Sequence, residues 1–356
     1  MTVRTHLVTG PGGAGVTTAC AALAAHAAAA GTTVTLAVLH HDGSLPTVPP
    51  TVHVEDLSTP APWGLWADAL ALTVERYGGD ADTVEQWPML PTARRCHALA
   101  RLAAICRTSG LTIVDLGDLR AAQDFLGAAI QLSWSLSRLL GVQPALTRGT
   151  GGAIPRLLRE TVDAVETAVD VLRAPTTALH VVSRPDERSI RRIRYGVPGL
   201  LLTEVHPGTL WWNTAGVAPP GPMEPSDRPD GHGWSPFIEE TAPLDPPAGI
   251  EQIAAVATAI LDRPARHDGE SPLVDLSRGQ VSWRLPLPWT QADNVHLVHR
   301  GEDLLVTVHG VEHLVVPPAV LRRGIPVQAA LDGAALTVQA DLPAQAWRGR
   351  DDEAMA

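Results

Sequence analysis

Between Thr5 and Thr9 the chain is apolar at its centre, which is the pattern of a short buried strand. A glycine-rich turn follows, and then an alanine-rich helical stretch from Thr18 to Ala30 closed by Gly31. "TTVTLAVLHHD" supplies a second strand, helical spacing runs through Trp66 to Arg76 and Pro91 to Thr108, and "LTIVDLGD" reads as a third strand. Strand, helix and strand in this order predict a parallel sheet. Apolar positions then recur at helical spacing from Ala121 to Leu140 and from Ile154 to Leu172, which makes both amphipathic helices. "TALHVVS" is another buried strand, "PDERSIRRIRYG" a helix, "GLLLTEV" and "GTLWWN" strand-like pieces, and Gly249 to Leu261 a last helix. Proline and glycine crowd the stretch from Ala215 to Gly249, which predicts a long surface loop with a short extended piece at Pro236 to Glu240.

At "DRPARHDGESP" the composition breaks and the period changes from about 3.6 to 2. Val281, Trp283, Leu285 and Leu287 alternate, as do Val295 and Leu297, then Leu304, Val306 and Val308, then Leu336 and Val338, which is the signature of a small β-sandwich. The expected fold class is therefore α/β, a parallel sheet flanked by helices of the P-loop NTPase kind, followed by a small all-β sandwich. The expected division is 1–264 for the α/β domain, 265–271 for a linker, 272–344 for the sandwich and 345–356 for a flexible tail.

Composition narrows the partners. A formal charge of -11 and a pI near 5.6 give no electrostatic footprint for nucleic acid or an anionic membrane. All 27 basic residues of the Lys+Arg count are arginine, so the chain has no lysine. Cys20, Cys96 and Cys106 form no C-x-x-C pair and no even-numbered framework, which fits packed thiols in a reducing cytoplasm. The longest apolar stretch, Ala19 to Ala30, is alanine-rich and follows a loop, and reads as neither signal peptide nor membrane span.

The candidate chemistry lies in the first turn. Gly10, Pro11, Gly12, Gly13, Ala14, Gly15, Val16, Thr17 and Thr18 fit G-x-x-x-x-G-K-[ST] everywhere except at the lysine, where Val16 stands. Backbone N–H groups at such a turn and helix start can hold phosphate oxygens, and the Thr17 hydroxyl can face magnesium. The plain alternative is a tight turn on an α/β scaffold.

This segment resembles the deviant phosphate loop, G-K-G-G-x-G-K-T-T, of the ArsA family, which includes arsenite-pump ATPases and the ATPases that target tail-anchored membrane proteins. "LTIVDLGDLRAAQDFL" is similar to that family's Walker B and switch II run, which puts Asp115 on its magnesium-water aspartate. "RAPTTALHVVSRPDERSIRRIRYG" resembles the strand and helix after its long helical region, and "LWWN" puts Asn213 on its adenine-contacting asparagine. The β-rich tail, down to "AALDGAALTVQADLP", resembles the α-crystallin-like, small-heat-shock-type domain fused to some members. The resemblance implies ATP and magnesium as cofactors, with Gly10, Gly12 to Thr18 and Asn213 on the nucleotide and Thr17 and Asp115 on the metal.

The departures from the family fall on catalysis. Pro11 and Val16 replace both lysines, "GSLPTVPPTVHV" lacks the water-orienting aspartate of switch I, and "DLGDLRAA" stands where the family has D-T-A-P-T-G-H. With no lysine anywhere, arginines such as Arg4 or Arg120 are the candidate substitutes, and neither is favoured; Asp118 as a replacement base competes with a solvated loop carboxylate. The leading expectation is thus a non-hydrolysing, client-binding or regulatory subunit, as a homodimer or paired with an intact paralogue. A working ATPase in ion transport or membrane-protein targeting is the first alternative, and a chaperone-like binding module the second.

Other clusters carry less. His40, His41 and Asp42 sit together, but adjacent histidines on extended backbone point to opposite sides and do not chelate one ion well. Cys96 and Cys106 lie ten residues apart on one helix, nearly three turns, so no zinc site is evident. "FLGAAIQLSWSLSRLLGV" occupies the region where targeting members build a groove for a client helix, against the plainer reading of core, and Arg188 to Arg194 reads as a charged, solvated or paired helix face.

Overall fold

The computed structural model describes residues 4–39, 46–58, 91–141, 153–216, 237–244, 250–262, 273–277, 280–300, 303–322, 325–332 and 335–341. Seven strands form one sheet: β1 (Thr5–Gly10), β2 (Val34–Val38), β3 (Val52–Asp56), β4 (Leu111–Asp118), β5 (Thr177–Ser183), β6 (Pro207–Asn213) and β7 (Ile238–Ala242). Their order is β3-β2-β4-β1-β5-β6-β7, and every pairing is parallel. The α/β class with a parallel sheet is therefore as expected. Burial explains the uninterrupted apolar strands, because a parallel sheet is covered on both faces and has no need of polar alternation.

Strand alternation sorts the side chains into two cores. Leu7, Val114, Leu116, Val181, Leu210 and Trp212 face one side, where they meet α2 (Pro91–Thr108), α3 (Leu119–Gly141), α4 (Ala153–Arg173) and α5 (Glu187–Leu201). Val8, Ile113, Val182 and Trp211 face the other, where they meet α1 (Val16–Ala29) and α6 (Ile250–Leu261). The adjacent tryptophans of "LWWN" thus serve opposite cores. Each also anchors β7, Trp211 Nε1 donating to the Ala242 carbonyl at 3.2 Å and Trp212 Nε1 to Glu239 Oε2 at 3.3 Å.

One expectation is corrected. "GLLLTEV" is no strand: α5 continues to Leu201, with Pro198 inside it. An interior proline costs about 3 kcal/mol. Burial of Val197, Leu200 and Leu201 with Ile193 at helical spacing offsets that cost. The two glycines of this helix admit neighbours closely, since a β-carbon on Gly196 would lie 3.1 Å from Leu119 and one on Gly199 would lie 2.6 Å from both Gln123 Nε2 and His313 Nε2. The end of "GSLPTVPPTVHV" enters edge strand β3, whose Glu55 pairs with Arg101 of α2. Trp66 to Arg76, the 265–271 linker, most of the proline-rich loop and the 345–356 tail lie outside the described residues.

The C-terminal part is two antiparallel sheets. One has order β10-β11-β12 (Val295–Arg300, Asp303–Val308, Val311–Val315); the other has order β13-β14-β9-β8, built from Ile325–Asp332, Ala335–Asp341, Gln280–Pro286 and Leu273–Ser277. Val281, Trp283, Leu285, Leu304, Val306, Val308, Leu336 and Val338 form its core, which are the alternating positions of the sequence. The two layers are stitched together. Leu202, just past α5, is buried in the sandwich core, while Trp289 of the sandwich packs against the α/β core. Arg138 of α3 bonds Asp303 of β11 at 3.0 Å, with the Asp303 side chain only 3% exposed. Among the described residues, no helix is long and apolar enough to cross a membrane.

Candidate nucleotide site

The glycine-rich loop joins β1 to α1 at the carboxyl edge of the sheet. Gly10 ends β1 against the neighbouring strand, so close that a β-carbon there would overlap the Val182 carbonyl oxygen. The Ala14 N–H donates to the Pro11 carbonyl at 3.0 Å, and Gly13 (φ 82) and Gly15 (φ 95) adopt the left-handed conformation that lets the chain turn into the helix. Gly15 caps α1 with no side-chain hydrogen bond, which leaves the first-turn N–H groups for water or an anion. Gly12, Gly13, Thr17 and Thr18 are exposed, and Pro11, Ala14 and Val16 are buried.

Val16, at the position of the motif's lysine, is buried. It is packed into the core with Val8, Ala19 and Val182, its Cγ2 facing Gly10. Its side chain thus adds to the apolar packing beneath the loop.

Thr17 and Asp115 are brought together as the sequence implied. Thr17 Oγ1 donates to Asp115 Oδ2 at 2.7 Å, and the Gly117 N–H donates to Oδ1 at 2.9 Å. Asp115 is fully buried. A hydroxyl and a carboxylate are oxygen donors of the kind that magnesium takes. Cys20, one turn into α1, has its thiol pushed well up by burial and by the Asp115 charge, which makes it an inert packing group. Burial likewise raises Cys96 and Cys106.

Asn213 lies beside the loop at the end of β6, but its amide is occupied. Nδ2 donates to the Ala14 carbonyl at 2.8 Å, and Oδ1 accepts from the Ala215 and Leu244 N–H groups, each at 3.0 Å. In this structure it ties the loop to the strand ends. Asn213→Ala should therefore destabilise the protein without any nucleotide, by about 1–3 kcal/mol for the buried groups it strands; a urea melt measures this, and an unchanged midpoint would mean the asparagine serves only a ligand.

Of the cations considered, neither arginine named from sequence reaches the loop. Arg4 precedes β1 at the opposite edge, and Arg120 pairs with Asp124 at 3.3 Å. Asp118 caps α3, accepting from the Ala121 N–H at 2.8 Å. The cation that reading missed is Arg192 on α5, whose Nη1 would lie 3.9 Å from a β-carbon on Gly12. Its neighbour Arg191 is paired with Glu187 at 2.8 Å, so the charged face divides into a paired part and a loop-facing part. Only the packing of α5 against α3 and β5 distinguishes them. The His40, His41, Asp42 cluster lies outside the described residues.

Comparison with known proteins adds two findings. Residues 278–339 match the family profile of the HSP20-like domain found in ArsA. An "Uncharacterized protein" of Streptomyces coelicolor is 28% identical across 98% of this chain and 100% of its own length.

Proposed function

We propose that this chain is an ArsA-related protein whose nucleotide site is degenerate, acting as a client-binding or regulatory subunit and not as an ATPase. The match of its sandwich to a domain found in ArsA supports the family relation. The observation that carries the degeneracy is a buried valine, Val16, at the lysine position of the loop. Each missing charge-assisted hydrogen bond removes about 1.5–3 kcal/mol of phosphate binding, roughly tenfold or more in affinity. One absent cation in phosphoryl transfer costs about 10³–10⁵ in rate. In this reading Gly12 to Thr18 hold phosphate through backbone N–H groups, Thr17 and Asp115 hold magnesium, and Asn213 shapes the loop. Magnesium, when bound, would supply the positive charge that Pro11 and Val16 do not. The division at 265–271, a cytoplasmic setting and pairing with an intact paralogue belong to the same proposal.

Binding and turnover of ATP with magnesium, measured separately, test it. Turnover should equal background, and Asp115→Asn should leave it there. Arg192 favours a second reading, a working ATPase with an unusual phosphate ligand. Turnover abolished by both Asp115→Asn and Arg192→Ala would establish that reading instead.

A further inference from the structure

Where the sandwich meets the C-terminal halves of α3 and α4 there is a cavity of about 290 Å³. Its walls divide by chemistry. Ile130, Val169 and Val316 are apolar, and the Trp134 ring lies with them; Arg138, Arg173, Arg322 and Asp303 bring three guanidinium groups and one carboxylate.

Among the described residues the charges do not balance locally. Asp303 is taken by Arg138 at 3.0 Å, and that guanidinium also lies over the Trp134 ring, 4.4 Å from its centroid. Arg173 pairs with Glu204 at 3.2 Å. Arg322 donates its Nε to the Pro317 carbonyl at 2.9 Å, a bond that leaves both terminal nitrogens, and no carboxylate pairs with it among the described residues. Among the described residues one cation, the exposed Arg322, is in excess beside the apolar walls, and its complement is an anion of single charge carrying an apolar body. A dianion such as phosphate would need more compensation than one guanidinium and would gain nothing from the three aliphatic walls. The volume, on the order of ten waters, limits the ligand to a small one.

We propose that this cavity is a binding site for a small monocarboxylate with a compact apolar body, its carboxylate on Arg322 and its body against Ile130, Val169 and Val316. Guanidinium is the group suited to that carboxylate, because its fork of N–H donors matches two oxygens. The walls come from both layers of the molecule. Occupancy therefore holds the sandwich to the helices, and the site is independent of the nucleotide loop.

The test uses the full chain and benzoate as the probe, with binding followed by calorimetry and by the melting temperature. Saturable binding of one benzoate per chain and a rise in melting temperature are expected. Arg322→Gln should weaken binding about tenfold or more, the loss of one charged hydrogen-bond partner, while leaving the unliganded melting temperature near that of the parent. Arg322→Lys, which keeps the charge and loses the fork, should fall between. Lack of saturable binding, equal affinity for neutral benzamide, displacement by inorganic phosphate, or indifference to Arg322→Gln would each overturn the assignment.

Discussion

Gly10→Ala is expected to destabilise the α/β layer severely, although the substitution adds a single methyl group. The new carbon would overlap the Val182 carbonyl oxygen and lie 3.0 Å from its carbonyl carbon and 3.2 Å from Val16 Cγ2. Two of those atoms are backbone of β5, a central strand paired with β1 on one side and β6 on the other, so it cannot yield without opening the sheet. Overpacking a well-ordered core costs about 1–3 kcal/mol when side chains absorb it. With backbone in the way, the loss should exceed about 4 kcal/mol, a fall in melting temperature on the order of 10 °C or more. Gly12→Ala is the matched control in the same loop, because its β-carbon would meet nothing nearer than Arg192 Nη1 at 3.9 Å. That variant should melt within about 0.5 kcal/mol of the parent. If Gly10→Ala folds normally and loses only nucleotide affinity, the glycine serves the ligand and not the sheet.

How legible this was depends on where the information lies. Buried strands and amphipathic helices announce themselves by period, and "LTIVDLGD" and "TALHVVS" coincide with β4 and β5. α5 defeated the same method because Gly196, Pro198 and Gly199 are local helix breakers, and only contact with Leu119, Gln123 and His313 explains their place in a helix. β3 was overlooked because it is an edge strand with a burial pattern that opens after Val52. In the sandwich, alternation marked β9, β10, β11 and β14, while β12 hides its period by carrying His313 at an inward position.

The candidate site was half legible. The order of glycines and threonines locates the loop, and the Thr17–Asp115 bond joins residues 98 apart as the motif requires. What sequence could not supply was direction: that Val16 turns inward, that Asn213 is spent on backbone, and that Arg192 alone of its charged run approaches Gly12. Each of these is a property of the packing between elements and leaves no mark on residue order.

Acid should weaken the fold through two histidines that the structure keeps neutral. The Thr209 N–H donates to His180 Nδ1 at 3.2 Å, so the proton of His180 sits on Nε2 and donates to His6 Nδ1, 3.0 Å away. His6 thus carries its own proton on Nε2, buried and without a partner. A second proton would have to enter at Nδ1, against the His180 N–H, inside a fully buried site; burial pushes His6 from 6.5 down to about 4. His313, pressed between Gly199 and Gln123 where the sandwich meets the helices, is also lowered to about 4, by burial first and by the Arg120 charge second. Because both folded values lie below the unfolded 6.5, the unfolded chain binds more protons between those limits. Stability from these groups is whole above about pH 6.5 and falls as the pH drops towards 4, by about 1.4 kcal/mol per unit for each histidine, roughly 3 kcal/mol apiece across the window. His313→Gln removes one of the two and should flatten the decline by about one proton, read as the difference in unfolding free energy between parent and variant at successive pH values. That difference should grow steadily below pH 6.5 in favour of the variant. Parallel curves for the two proteins would show that His313 titrates freely and that its place at the junction carries no acid sensitivity.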